Sequence, residues 1–291
     1  SNPANNAYLK YGSTETNVTF YLSEPAECRY SIGEDKNLFS EMDKTMDCKY
    51  NFADVENFGW PCFIDSYNVD KKIYIKCKDQ PYETDETKRN VNTKSYEYQL
   101  FVSESELQVS NIKPENNAVI VDGQEPITVT LEAETSGGAN GKARCDYSFD
   151  GGETYIPFYY TYSTEHSQEF NMMTKGSYNI KIKCIDDAGN TAQGETFFTL
   201  DLDTSPPIVV RVFNSGNSLK IITNEEAKCY YNLKKCGFDI ENANISISMT
   251  TAYSKEHTAG WNADSTYHIK CEDIWGNMNG GCAIVVRPSS I

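Results

Sequence analysis

Three kinds of residue in this chain could do chemistry by type and spacing: three histidines, ten cysteines, and acidic residues gathered near some of the cysteines. Histidine-based hydrolysis needs the ring beside a nucleophile or a second metal ligand, and neither H-E-x-x-H nor G-x-S-x-G occurs. His166 and His257 lie in matching stretches, Tyr162-Ser163-Thr164-Glu165-His166 and Tyr253-Ser254-Lys255-Glu256-His257, so they belong to separate copies of a repeat and cannot build one site; His268 stands apart. They are expected to be turn histidines bonded to backbone. The adjacent acids Asp186 and Asp187, or Glu272 and Asp273, make poor acid–base pairs, because neighbouring strand residues point to opposite faces. No catalytic constellation emerges, and the chain is not expected to be an enzyme. The hard oxygen donors Asp186, Asp187, Asp201 and Asp203 are the candidate calcium ligands, without a D-x-D-x-D-G loop behind them. No other cofactor is implied.

The elements that must position these residues come from a threefold repeat. Ala26-Glu27-Cys28-Arg29-Tyr30, Ala143-Arg144-Cys145-Asp146-Tyr147 and Ala227-Lys228-Cys229-Tyr230-Tyr231 share A-x-C-x-Y. About 40 to 50 residues after each comes I-K-C-x-D, at Ile75, Ile182 and Ile269. In the later two copies a turn follows, Asp187-Ala188-Gly189-Asn190 and Ile274-Trp275-Gly276-Asn277. The flanks alternate with period two, as half-buried strands do: Ile127, Val129, Leu131 and Ala133 on one face, Thr128, Thr130, Glu132 and Glu134 on the other. Turn-rich tracts separate such runs, and no amphipathic helical periodicity of any length appears. Roughly seven strands per copy predict an all-β protein of three tandem β-sandwiches, 1–105, 106–205 and 206–291, with Pro206-Pro207 a stiff entry to the last.

The A-x-C-x-Y-S strand, the strand ending in I-K-C-x-D and the D-x-x-G-N turn resemble the tandem Ig-like and fibronectin-III-like domains of bacterial and archaeal surface proteins, over essentially the whole chain. The pattern departs from antibody domains: two strands precede Cys145 in its copy, and no Trp stands between Cys145 and Cys184. The cysteines are therefore expected on neighbouring strands of one sheet rather than across two sheets. The second copy holds only Cys145 and Cys184, which must pair; alignment then pairs Cys28 with Cys77 and Cys229 with Cys271, leaving Cys48 with Cys62 and Cys236 with Cys282. The even count and the absence of C-x-x-C favour disulfides made outside the cytosol, hence an extracellular or cell-surface protein.

Charge narrows the partners. The net charge of −16 repels nucleic acid and anionic lipid, and no apolar run is long enough to span a bilayer, so neither nucleic-acid binding nor membrane insertion is expected. Residues 1–105 carry 12 basic and 18 acidic side chains, 106–205 carry 6 and 16, and 206–291 carry 8 and 8. The opening Ser1-Asn2-Pro3 reads as a processed chain, and the tail Arg287-Pro288-Ser289-Ser290-Ile291 supplies no sorting signal. Retention at a surface then falls to association between copies or to an anchor removed from the tail. Three functions stand: a structural subunit of a filament or sheath, assembled head to tail from copies of itself by β-strand addition; an adhesin or ligand-binding stalk whose partner is a surface glycan or protein; and the non-catalytic Ig-like part of a secreted hydrolase. For the first, the alternating segment 2–11, with Asn2, Ala7, Leu9 and Tyr11, is expected at the contact between copies; its alternative is the first strand of its own domain. Asn17 and Asn244 open N-x-S/T sequons and are candidate glycan sites. The run Phe158-Tyr159-Tyr160-Thr161-Tyr162 suggests sugar stacking, but a strand must bury one face of it, and core and sheet surface is the simpler reading.

Overall fold

The computed structural model describes residues 1–290 and is built of β-strands, short 3₁₀ turns and loops, with no α-helix among the described residues. In the first repeat Glu15–Leu22 pairs antiparallel with Trp60–Asn68, which also pairs with Asp47–Cys48. The facing sheet sets Ala26–Ile32 against Ile73–Asp79, with Lys44–Thr45 and Tyr96–Tyr98 outside them. Strand alternation sends Val18, Phe20 and Ile64 from one sheet, and Tyr30, Ile75 and Tyr98 from the other, into a single core. Phe20 meets Tyr98 edge-on, ring centroids 4.9 Å apart.

The later repeats follow the same plan. Arg144–Ser148 lies antiparallel to residues 181–185, and Ala118–Asp122 runs parallel to residues 198–202. In the third, Ser218–Asn232 is one long strand whose first half pairs with Val209–Ser215 and Ser254–Gly260 and whose second half pairs with Tyr267–Asp273. The fold is that of tandem Ig-like β-sandwiches. Backbone contacts group the chain into two compact units, residues 1–116, 130–169 and 179–197 in one and 117–129, 170–178 and 198–291 in the other. The second repeat contributes to both, because strands such as Ile127–Ser136 and Thr191–Leu202 continue through the division.

Five disulfides close the chain: Cys28–Cys77, Cys48–Cys62, Cys145–Cys184, Cys229–Cys271 and Cys236–Cys282, and no described cysteine is free. The first four join residues directly opposite in a ladder, with Cα atoms 4.0–4.1 Å apart. Each therefore staples two strands of one sheet, and the space between the sheets is left to apolar side chains. In the chain-entropy account each loop of this size contributes roughly 3–4 kcal/mol.

Residues 2–11 pair within their own repeat, the alternative given for this segment. Asn2 exchanges both backbone bonds with Thr19, Asn5 holds Glu97 and Gln99 through its side chain, and Tyr8–Leu9 pairs in parallel with Phe101–Val102. Ala7 and Leu9 pack on the core of their own repeat, and the Tyr11 N–H is bonded to Asn190. This segment is the edge strand of its own sandwich, so Asn2, Ala7, Leu9 and Tyr11 already spend their hydrogen bonds inside the chain.

Candidate functional site

Some of the residues singled out in the sequence, Asp186 and Asp273 with Asn190 and Asn277, build the turns that follow the later two I-K-C-x-D strands. In the second repeat, Asp186 donates its backbone N–H to the Asn190 carbonyl. Its Oδ1 accepts from the N–H groups of Ala188 (3.0 Å) and Asn190 (2.8 Å). Its Oδ2 accepts from Asn190 Nδ2 (2.8 Å) and the Ala139 N–H (2.7 Å). The buried carboxylate is thus satisfied by four donors, as burial of a charge requires. Gly138 makes room for it: a Cβ there would stand 2.2 Å from Oδ2, at φ +53°.

Asn190 carries the turn across to the first repeat. Only 3 % exposed, it accepts the Tyr11 N–H at Oδ1 (2.8 Å) and donates from Nδ2 to Ser103 Oγ (2.9 Å). Ser103 in turn donates its hydroxyl to the Leu9 carbonyl. The Gly138 N–H reaches the Ser105 carbonyl, and Leu107 from the connecting segment is buried.

The third repeat repeats the cell. Asp273 N–H bonds the Asn277 carbonyl; Asp273 Oδ1 accepts from the N–H groups of Trp275 and Asn277, and Oδ2 from Asn277 Nδ2, each at 2.8 Å. Asn277 Nδ2 also reaches the Asp203 carbonyl (2.8 Å) at the exit of the second repeat's last strand. Trp275 lies against Gly123, where a Cβ would come within 2.7 Å of the Trp275 Cβ. Two junctions thus use one device, an asparagine fixed by an aspartate and turned onto the strand exit of the preceding repeat.

The calcium candidates are not brought together. Asp186 is saturated by N–H donors and Asp187 is exposed. Asp201 pairs with Lys175 (2.7 Å), whose hydrogen bond lowers its carboxyl below the ordinary range. Asp203 meets two partners the sequence reading missed, Glu225 and Asp273, with one oxygen of each carboxylate within 4.8 Å of the others. Burial, with repulsion from Asp203 and Asp273, raises the Glu225 pKa. Three hard oxygen donors suit a calcium ion in chemistry, and these are the residues that would hold one. The signal that could have found the group is the equivalence of Asp273 to Asp186, which places it at a junction.

The histidines lie beneath these junctions rather than in turns, which corrects that expectation. His166 and His257 are buried in strands, and each ring is held by two threonines: Thr135 (2.9 Å) and Thr161 (3.1 Å) for His166, Thr223 (3.2 Å) and Thr250 (3.3 Å) for His257. The Thr135 hydroxyl donates to the Gly141 carbonyl and the Thr223 hydroxyl to the Glu225 carbonyl, so each accepts from its histidine, which assigns the proton to Nε2. Burial disfavours the cation in both, lowering His166 and pushing His257 down to about 4. His268 Nδ1 lies 3.4 Å from Cys236 Sγ in the Cys236–Cys282 disulfide.

The aromatic run departs from simple alternation. Phe158 is 3 % exposed, but Tyr159, Tyr160 and Tyr162 are 77 %, 65 % and 70 % exposed. Tyr159 and Tyr160 line a cleft of about 670 Å³ with Asn111, Lys113, Glu132 and Glu165. Of the sequons, Asn17 is exposed within a strand and accepts the Ser66 N–H, and Asn244 is exposed in a turn.

No protein-family model matches the chain, and no curated protein matches it. Among solved structures, fibronectin(III)-like modules of Clostridium thermocellum CbhA align over 69 % of this chain and 92 % of theirs, with 14 % identity and a TM-score of 0.41. Tandem domains from titin align over 94 % and 92 %, with 12 % identity and a TM-score of 0.36. A structure from a bacterial ice-binding adhesin aligns over 94 % and 90 %, with 10 % identity and a TM-score of 0.37. These are likenesses of fold. Among the described residues no helix is long and apolar enough to cross a membrane.

Proposed function

We propose that the protein is an extracellular structural subunit of three sandwiches, 1–105, 106–205 and 206–291, that assembles head to tail into a filament or sheath. The observation that carries this reading is the repeated junction: Asn190 and Asn277 each join a sandwich end to the strand exit of the one before it. A contact that is heterologous within the chain stays heterologous between copies, and such contacts propagate instead of closing. Five disulfides suit an oxidising compartment. Strand addition between copies needs an open sheet edge, and the outer side of Tyr8–Leu9 and the strand Val209–Ser215, with Val210 exposed, are the candidates. Electron microscopy of the oxidised protein tests the reading: fibres with a three-sandwich repeat are expected, and single molecules at every concentration overturn it.

A second reading, an adhesin or ligand-binding stalk, rests on the exposed tyrosines beside the polar cleft at Asn111 and Glu132. Glycan-array binding lost in Tyr159→Ala would favour it.

A further inference from the structure

We infer that the Asp79–Asn90 pair of the first repeat is the acceptor for the far end of the third repeat of a second copy, an inference that rests on the head-to-tail reading. Asp79 N–H bonds the Asn90 carbonyl (3.0 Å), Asp79 Oδ1 accepts the Asn90 N–H (2.6 Å), and Oδ2 accepts Asn90 Nδ2 (2.9 Å). These are the same three bonds that define Asp186–Asn190 and Asp273–Asn277. The equivalence is hidden in the sequence because ten residues, not three, separate Asp79 from Asn90. In the later repeats the asparagine reaches the preceding sandwich and Asn190 is buried; Asn90 is exposed and bonds nothing beyond Asp79 among the described residues.

The surroundings match a protein end. Asn90 borders a cleft of about 610 Å³ lined by Phe20, Leu22, Val91 and Tyr96, with Glu24 at its rim. Glu24 and Glu83 line a second hollow beside it. Beside this floor Arg89 pairs with Glu27 and Lys88 with Glu83, and over its whole sequence the first repeat carries an acidic excess. The third repeat offers the complement at the end of its sheet opposite Asp273. Asn232 stands opposite His268 and Val286 opposite Tyr267. The exposed Lys234, Lys235 and Arg287 follow directly on those two strands. Val286 stands opposite Tyr267 as Tyr98 stands opposite Ile73, so the two strands hold the same place in their repeats. Opposite charge at the two ends steers them together and disfavours like ends meeting.

The test is sedimentation velocity of the full oxidised chain over a concentration series, with Asn90→Ala as acceptor variant and Lys234→Glu/Lys235→Glu as donor variant. Each is expected to weaken self-association about tenfold or more, the loss of one or two interface hydrogen bonds or charge contacts. Mixing the two variants should give dimers that stop growing, since one intact acceptor then meets one intact donor. The donor variant lies far in sequence from the acceptor loop, and disulfide mapping with near-ultraviolet dichroism checks that both variants fold. Assembly at wild-type strength in both variants overturns this contact and leaves the head-to-tail reading standing. A wild-type chain monomeric throughout overturns both.

Discussion

The junctions at Asn190 and Asn277 are built from one turn, yet they hold charge differently. At Asn190 the aspartate is closed off: Ala139 supplies a fourth N–H and Gly138 leaves space for it, so Asp186 is neutralised by fixed backbone dipoles. At Asn277 the Ala139 bond has no counterpart among the described residues, and Glu225 and Asp203 stand beside Asp273 instead. The first arrangement surrounds its carboxylate with N–H donors; the second gathers three carboxylates and raises the Glu225 pKa. One motif thus gives a closed joint and an acid-rich one, and the difference lies in the loop opposite the turn: Gly137-Gly138-Ala139 in one case, Asn224-Glu225-Glu226 in the other.

The largest expected effect breaks the closed joint. Asp186→Ala strands four N–H donors in a buried place and should cost about 3–5 kcal/mol in chemical denaturation. Asp273→Ala also strips its turn of an acceptor but relieves the repulsion from Asp203 and Glu225, so its cost should be smaller by about 1 kcal/mol or more. Equal losses would show that the fourth donor and the neighbouring acids do not matter. Gly138→Ala, which pushes a methyl group onto Asp186 Oδ2, should approach the Asp186→Ala result.

Acid sharpens the comparison through the histidines underneath. The ordinary histidine pKa is about 6.5 and folded His257 titrates at about 4, so between those values the unfolded chain binds the additional proton. Stability present above pH 6.5 is therefore lost as pH falls toward 4, by about 2–3 kcal/mol for His257. Protonation would place an N–H at Nδ1 against Thr250, while Nε2 continues to hold Thr223, whose hydroxyl secures the Glu225 loop. Denaturation midpoints at pH 7 and pH 4.5 for wild type and His257→Gln check this. The variant should show a shallower acid loss, and identical slopes would remove His257 from the account.

Gly123→Ala probes the packing half of the acid-rich joint. A Cβ within 2.7 Å of the Trp275 Cβ forces that side chain aside, at about 1–2 kcal/mol, read in the thermal midpoint.

The strands and the sandwich class were legible because alternation and the two cysteine motifs recur in all three copies, and the ladder puts Cys145 opposite Cys184. The D-x-x-G-N turn was visible only as turn chemistry. Its role depends on what lies across from Asn190, and Ser103 and Tyr11 are distant in sequence and carry no motif. The first repeat concealed its own copy, because an insertion stretched the spacing from Asp79 to Asn90. The histidines were misplaced for a related reason: a polar side chain reads as a turn residue until the threonines that satisfy it, Thr135 and Thr223 on other strands, are brought beside it. Residues 2–11 alternate as an edge strand does, but alternation does not say whose edge it completes.

The smallest effect has the opposite sign. Glu225 is destabilised as an anion by burial and by Asp203 and Asp273, so its folded pKa lies above the ordinary glutamate value. Folding therefore favours its protonated form, and the cost appears as pH rises through the ordinary glutamate range and persists at neutral pH. Glu225→Gln keeps the shape and removes the charge, and should stabilise the protein at pH 7 by about 0.5–1 kcal/mol once solvent screening is allowed for. The gain should vanish near pH 3, where the wild-type side chain is itself neutral. Calcium sharpens the point. If these three carboxylates take a cation, added calcium raises the wild-type thermal midpoint, and the variant, having lost one ligand and the excess charge, gains less. A wild-type midpoint indifferent to calcium together with a stabilising Glu225→Gln would make the acids a repulsive cluster and nothing more. A destabilising Glu225→Gln in calcium-free buffer would contradict the raised pKa and, with it, the contrast between the two junctions.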